Sequence, residues 1–208
     1  EIAESSRILL TYLGIPVVQA PEEGEAQAAY MASRGDAWAA SSQDFDSLLF
    51  GAPRLVRNLN ISGRRKLPGS NGYRNISIEL IELPKVLEHN GLMIREQLVD
   101  LAILIGTDYN PGIRGIGPKK GLKLIQQHGD LQGALRALGE SIPQAECVQD
   151  IFLRSEKTDV TGLEWRKPDR EHIVDYLARD HGFSENRVTS ALDRLDGKRK
   201  PAKKAELS

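Results

Sequence analysis

The sequence has one cysteine, Cys147, and so no internal disulfide, which fits a reducing compartment. It has no apolar run near the roughly 20 residues that span a bilayer; its longest, Leu101 to Ile105, is five residues and reads as core. The four histidines, His89, His128, His172 and His181, are scattered without the paired spacing of a zinc site, and read as surface or helix-end residues. No internal repeat is present. Nor does the start, Glu1-Ile2-Ala3-Glu4, offer a Met or a basic-then-apolar signal pattern. It reads as the middle of an amphipathic helix, so the expectation is a fragment whose N-terminal part is missing.

Net charge is close to absent as well. The formal value is −1, which argues against a generic nucleic-acid binder. The local balance is uneven, however. Arg194, Lys198, Arg199, Lys200, Lys203 and Lys204 face a single acid, Asp196, near the end, and Arg64-Arg65-Lys66 and Lys119-Lys120-Gly121-Leu122-Lys123 are further basic clusters. With 208 residues, 40% of them apolar and 27% charged, the chain has material for one large domain or two small ones.

Acids stand beside turn formers at three places: Pro21-Glu22-Glu23-Gly24-Glu25-Ala26, Ser41-Ser42-Gln43-Asp44-Phe45-Asp46, and Gly106-Thr107-Asp108-Tyr109. Each follows a short apolar run, so each can sit at the end of a strand or helix that feeds one cleft. Two carboxylates about 4 Å apart repel by about 4 kcal/mol at an effective dielectric of 20, so a gathering of five needs divalent cations to hold it. Oxygen-only ligation suits magnesium or manganese rather than zinc. Taken singly, the same residues have plainer readings. Glu23 and Glu25 at a helix start complement its dipole, Asp44 serves as an N-cap, and Asp108 is a turn residue. Two positions apart, Glu23 and Glu25 would share a face only in a strand-to-helix turn or a first helical turn.

The first half alternates. Residues 2–13 and 22–34 read as helices and 15–18, 38–41, 55–59 and 76–80 as strands, with a short helix through Leu48-Leu49-Phe50 and a turn-rich excursion or hairpin over 60–75. The pattern predicts an α/β fold, a mainly parallel sheet flanked by helices, with ligands at the carboxyl ends of its strands. From Leu83-Pro84 onward the pattern is helical, over 85–90, 95–105, 118–128, 131–138, 144–152, 170–180 and 184–195; residues 198–208 read as a disordered tail. This divides the chain into an α/β region over 1–93, a helical region over 94–196 and a basic tail over 197–208. Trp38 and Trp165 read as core packing, and Cys147 as a packed or idle residue of a helix.

Between two of those helices lies Gly112-Ile113-Arg114-Gly115-Ile116-Gly117-Pro118-Lys119-Lys120-Gly121. Pro118 takes the favoured first helical position. Glycines permit close approach, the first amides of the new helix attract a phosphate, and Lys119, Lys120 and Lys123 add charge. That is how a helix-hairpin-helix grips a nucleic-acid backbone without reading bases. A dinucleotide-binding loop would follow a strand, whereas this one follows a helix; a plain helix–turn–helix joint is the other reading, against which the lysines weigh.

These segments resemble the flap endonucleases, the XPG-like structure-specific 5′ nucleases, most of all the archaeal ones. The motifs around Glu23 to Ala28, Ser42 to Gly51 and Gly106 to Lys119 match the family's order and spacing, and the resemblance runs from about Ile2 to Leu195. It implies a PIN-like 5′ nuclease core, here incomplete, followed by a helix-hairpin-helix DNA-binding region. It also implies an enzyme that hydrolyses DNA phosphodiesters at 5′ flaps, with 5′–3′ exonuclease activity, by two-metal catalysis in replication and repair. Glu23, Glu25, Asp44, Asp46 and Asp108 would be five of the family's seven metal-site carboxylates, holding two Mg2+ ions, with Mn2+ as a substitute. Arg114, Gly115, Gly117, Lys119, Lys120 and Lys123 would lie on the DNA clamp, and Gly112, Ile113 and Ile116 would offer backbone carbonyls to K+. Two further aspartates, a Lys- and Arg-bearing arch and the free N-terminus would lie before residue 1. The implied partners are branched or flap DNA, with no membrane, and the sliding clamp (PCNA) through a C-terminal peptide that nothing after Lys204 supplies. The implied compartment is an archaeal cytoplasm, or the nucleus of a eukaryote. The rivals are a non-catalytic DNA-junction binder, whose acids serve only as caps, and a related excision-repair or junction-resolving nuclease.

Overall fold

The computed structural model describes residues 2–59, 63–66, 69 and 72–196. The chain divides into two compact units, one made of residues 20–159 and the other of residues 1–19 and 160–208.

In the larger unit, α2 (Gly24–Arg34) leads to β1 (Ala40–Ser41), α3 (Asp46–Leu49) and β2 (Arg54–Arg57). Then come the hairpin β3 (Gly63–Lys66) and β4 (Tyr73–Ile76), β5 (Glu79–Glu82) and the helices α4 (Leu83–His89), α5 (Arg95–Ile105), α6 (Pro118–His128), α7 (Leu131–Leu138) and α8 (Ala145–Arg154). The sheet order is β1-β2-β5, with Ala40 beside Leu55 in parallel and Val56 beside Leu80 in antiparallel register. The expected α/β class is present, but the sheet is small and mixed rather than mainly parallel. Of the pairings among the described residues, β1–β2 is parallel, while β2–β5 and β3–β4 are antiparallel. The reason is the hairpin, which returns the chain beside β2 without a crossover helix.

Asn58 ends β2 by adopting φ 59° and donating its Nδ2 to the Ser77 carbonyl at 3.1 Å. The strand expected over 76–80 is therefore split between β4 and β5. Ile15–Val18, expected as a strand, forms none. β-branched composition gives a segment extended backbone but not a ladder partner. The tail from 197 and residues 60–62, 67, 68, 70 and 71 of the turn-rich stretch fall outside the described residues.

One core joins the two halves of this unit. Ala26 and Ala29 of α2, Phe50 and Ala52 pack with Val99, Ile103 and Leu104 of α5, Ile125 of α6 and Phe152 of α8, all buried. Packing therefore does not break at residue 93; the division there describes proposed roles, not separate cores. Gln27, almost fully buried on α2, clamps the chain after α8: its Nε2 donates to the Thr158 carbonyl at 2.9 Å, and its Oε1 accepts from the Thr158 N–H at 2.8 Å.

The smaller unit holds α1 (Ile2–Tyr12), α9 (Arg170–Val174), a π-helical segment (Asp175–Asp180) and α10 (Glu185–Leu195). Ile173, Val188 and Leu192 form its core with Leu9, Tyr12 and Leu13. The helix expected over 170–180 is thus wound more widely in its second half. Trp165 is 75% exposed here and Trp38 is 63% exposed in the larger unit, so neither is the core residue that was expected. Trp38 instead packs under the Arg54 guanidinium, 5.0 Å from the ring centroid. Cys147 lies exposed on α8.

Asp100, in the middle of α5, is 3% exposed. Its Oδ2 accepts the Leu131 N–H at 3.0 Å, which caps the start of α7 from another helix, and its Oδ1 accepts from Gln149 of α8. Burial pushes its carboxyl up, and the two hydrogen bonds oppose that. Asp100→Ala is expected to destabilise the protein by about 2 to 3 kcal/mol in urea unfolding, because the buried Leu131 N–H loses its partner. Asp100→Asn should cost much less. It keeps an acceptor for Leu131, and the Gln149 amide can turn to meet the new donor.

Candidate active site

All five acids singled out by sequence lie in the larger unit. Glu23 is the residue at the threshold of α2, with extended backbone (φ −78°, ψ 125°), and Glu25 is the second residue of the helix proper. The change of backbone between them lets two acids two positions apart face one region, as a regular helix would not. Asp44 and Asp46 follow β1, and Asp46 opens α3. Asp44 does not cap that helix: Phe45 occupies the N-cap position, no side-chain cap bond is made, and the Asp44 N–H donates to Ser42 Oγ at 3.1 Å.

Asp108 sits on a turn built to hold it. Thr107 N–H donates to the Asn110 carbonyl at 2.9 Å and Tyr109 N–H to Thr107 Oγ1 at 3.1 Å, while buried Asn110 donates to the Ile103 carbonyl of α5 at 2.8 Å.

Electrostatics ties these segments together. The Asp46 carboxyl is raised above the ordinary carboxylate range, first by its burial and then by the charges of Glu25, Asp108, Asp44 and Glu23, in that order. Every other acid of the set is thus within electrostatic reach of Asp46. Hydroxyls add direct links. Glu25 accepts from Ser42 Oγ through Oε1 and from Ser47 Oγ at 3.1 Å through Oε2. Glu23 Oε1 accepts from the Tyr109 hydroxyl at 2.9 Å, across 86 residues of sequence. Tyr109 is fixed in turn by an edge-on contact with buried Phe152, their centroids 5.5 Å apart. Its phenol is pushed up to about 12, by burial first and by Glu23 next, so at neutral pH it stays a donor.

Ser42, Ser47 and Tyr109 were not predicted as part of the site. All three stand in the motifs, yet only their partners in space give them a role.

Among the described residues, no three acidic, His or Cys side chains close on a single point as a finished cage would. Glu23 accepts instead from Tyr109, and Glu25 from Ser42 and Ser47. The donor set nonetheless suits a hard divalent cation: five carboxylates from three segments, hydroxyl oxygens between them, and no nitrogen or sulfur.

The glycine-rich segment joins α5 to α6. Gly112 has φ 69°, and a Cβ there would stand 2.3 Å from the Ile105 carbonyl oxygen, so only glycine fits. The Ile113 N–H donates to the Leu104 carbonyl at 2.9 Å, and the Ile113 carbonyl accepts the Ile116 N–H at 3.0 Å. Gly121 lets α6 lie against Leu101 of α5. Gly117 caps α6 without a side-chain bond, and Pro118 follows it. Among the described residues, no side-chain cap bond is made at the start of α6, whose first amides have no intrahelical partner. Arg114, Gly115, Lys119, Lys120 and Lys123 are exposed around this end, with Lys120 Nζ donating to the Gly115 carbonyl at 3.3 Å. This segment is a helix-hairpin-helix in geometry.

A sequence profile of the XPG I-region matches residues 14–108. Flap endonuclease 1 of Ignicoccus hospitalis is 52% identical over 196 residues, 94% of this chain. The chain belongs to the flap endonuclease family. It spans 56% of the length of that relative. The solved structure of flap endonuclease-1 from Methanococcus jannaschii matches with a TM-score of 0.79 at 39% identity, over 93% of this chain and 56% of that one. Human GEN1 in complex with Holliday junction DNA matches with a TM-score of 0.69 at 25% identity, over 92% of this chain and 51% of that one. Among the described residues, no helix is long and apolar enough to cross a membrane.

The raised Asp46 gives a prediction for the protein in chelator. A carboxyl raised in the fold contributes stability at pH below its unfolded value of about 4 and loses it as pH rises through the folded value. At pH 7 the ionised Asp46 is therefore a liability beside four like charges. Asp46→Asn should raise the Tm in chelator at pH 7, and the gap to the wild type should close as pH falls toward 4. Scanning calorimetry across that range checks it.

Proposed function

We propose that this chain carries the internal nuclease region and the helical DNA clamp of a structure-specific 5′ flap endonuclease, which hydrolyses a DNA phosphodiester near the base of a 5′ flap. The observation that carries the reading is the gathering of Glu23, Glu25, Asp44 and Asp108 about Asp46, in a chain of the flap endonuclease family.

Glu25 and Asp44 are assigned to direct metal contact, and Glu23, Asp46 and Asp108 to contact directly or through water, since magnesium keeps several waters. When bound, a pair of magnesium ions supplies positive charge to the in-line transition state and lowers the pKa of the attacking water. Ser42 and Ser47 hold Glu25 in one orientation, and Tyr109 does the same for Glu23 without giving up its proton. Buried Asn110 holds the turn that presents Asp108. The chain's own part in catalysis is therefore to fix acidic oxygens before the substrate arrives.

The α6 start, with Lys119, Lys120 and Lys123, is assigned to duplex phosphates behind the cut, and Arg114, Gly115 and Gly117 to the same contact surface. K+ at the carbonyls of Gly112, Ile113 and Ile116 would brace the turn; the Ile113 carbonyl already accepts one amide. GEN1, with this fold, is described with a DNA junction, which supports a DNA substrate here too. At 52% identity to a flap endonuclease, a flap is favoured over a four-way junction. An archaeal cytoplasm and association with a sliding clamp (PCNA) belong to the same proposal and rest on the family alone.

In the intact protein, Asp46→Asn should lower flap cleavage by more than about 100-fold, beyond what loss of a supporting hydrogen bond costs. Its binding of the flap should hold near the wild-type level. Wild-type cleavage by this variant would refute the assignment. For the clamp, replacing Lys119 and Lys120 together by Ala should reduce the slope of log affinity against log salt by about two units. An unchanged slope in fluorescence anisotropy titrations would remove those lysines from the interface.

A further inference from the structure

Phe45 lies between two of the candidate metal ligands and yet has no place in the hydrophobic core. Its neighbours Ser47, Leu48, Leu49 and Phe50 are buried, while Phe45 is 52% exposed. Its ring is not loose. The Arg57 guanidinium lies over it, 4.2 Å from the centroid. Arg57 is itself pinned at two points, its Nε donating to the Gln43 carbonyl at 3.0 Å and its Nη1 to Glu79 Oε2 at 3.1 Å. Arg57 and Glu79 are also cross-strand partners of β2 and β5, so the sheet itself supports the platform. One face of the aromatic ring is therefore taken by a fixed cation, and the rest of the ring is exposed on the residue between Asp44 and Asp46.

We infer that Phe45, braced by Arg57, is a stacking platform for a nucleobase of a nucleotide flanking the cleaved phosphodiester. This rests on the nuclease reading above. A phosphate held near Asp44 and Asp46 brings its own sugar and base beside the residue between them, because consecutive Cα atoms are only about 3.8 Å apart. Near a flap junction, bases leave the duplex stack and expose a π-face, which an aromatic ring accepts whatever the base identity. The guanidinium below adds cation–π attraction to the ring and costs no new ordering, since its side chain is already fixed. A platform of this kind would place the phosphodiester over the carboxylates without itself contacting the reacting atoms. Phe45 is thus a positioning residue.

The test uses the intact protein and a flap oligonucleotide carrying 2-aminopurine at either nucleotide flanking the cut. Binding is measured in calcium and cleavage in magnesium. Wild-type protein should quench the probe on binding. Phe45→Ala should leave it bright and raise the KM for cleavage by about 5- to 100-fold, the range for one base–aromatic stack, with a smaller change in kcat. Phe45→Trp should restore both readouts. Phe45→Leu keeps apolar bulk without a π-face, so it should behave as Phe45→Ala while melting at the wild-type temperature. Wild-type quenching and KM in Phe45→Ala, or in Phe45→Leu, would overturn the inference. If Asp46→Asn abolishes cleavage while Phe45→Ala changes nothing, only the platform falls. If Asp46→Asn cleaves normally, the nuclease site falls, whatever Phe45 does.

Discussion

Carboxylates taken from residues 23–25, 44–46 and 108 repel one another, and the fold of the larger unit has to keep them together against that repulsion. The means is a shared hydrophobic support. Ala26 and Ala29 on α2, Phe50 after α3, and Ile103 and Leu104 on α5 belong to one buried cluster, and the acids project from the ends of these same elements. Moving any one acid away would mean opening apolar packing, at about 25 cal/mol for every Å² returned to water. The local cost of the charges is therefore met by contacts remote from them. Hydroxyl donors do the finer work, since Ser42, Ser47 and Tyr109 each satisfy a carboxylate oxygen that would otherwise turn to water or to another acid.

The same economy appears at the helix-hairpin-helix. Gly112 and Gly121 are the two positions where a side chain would collide, with the Ile105 carbonyl and with Leu101 respectively. Both collisions would push α6 off α5. Asp108 and its turn lie between the same two helices, so the packing that aims the amides of α6 also sets the position of an acid. The candidate acid site and the glycine-rich turn thus share the same pair of packed helices.

Much of this was legible in the sequence where the signal is local. α6 begins at Pro118, and α5, α6 and α7 end where Gly106, Gly129 and Gly139 follow them, because caps act within a turn. The five acids could be singled out because three acid-bearing turns stand together in segments that resemble one family, and their role stays a proposal. The failures are of another kind. Ile15–Val18 has the composition of a strand and lacks the pairing, and Trp38 and Trp165 look like core and lie exposed. The bonds from Tyr109 to Glu23, from Gln27 to Thr158 and from Asp100 to Leu131 join residues 86, 131 and 31 positions apart. No periodicity carries that information. A polar residue in an apolar helical stretch, as Asp100 is, was the one available hint, since a buried acid requires partners.

Exposure of Phe45 follows from the same geometry that places the acids. In the run Asp44-Phe45-Asp46 the chain leaves β1 and enters α3, with Phe45 itself in a near-helical conformation at φ −87° and ψ −6°. A turn that aims both flanking carboxylates into the cluster leaves the middle side chain aimed elsewhere, toward the end of β2 where Arg57 waits. An ordinary solvent-facing position would favour a small or polar residue. A large ring there forgoes burial energy, and the guanidinium above it recovers only part of that, about 0.5 to 2 kcal/mol. On the proposed reading, an aromatic residue held out beside the candidate acid site, on a cation that makes two other bonds, gains the remainder when a flat apolar surface covers it. A nucleobase is the flat surface that a phosphodiester substrate brings with it.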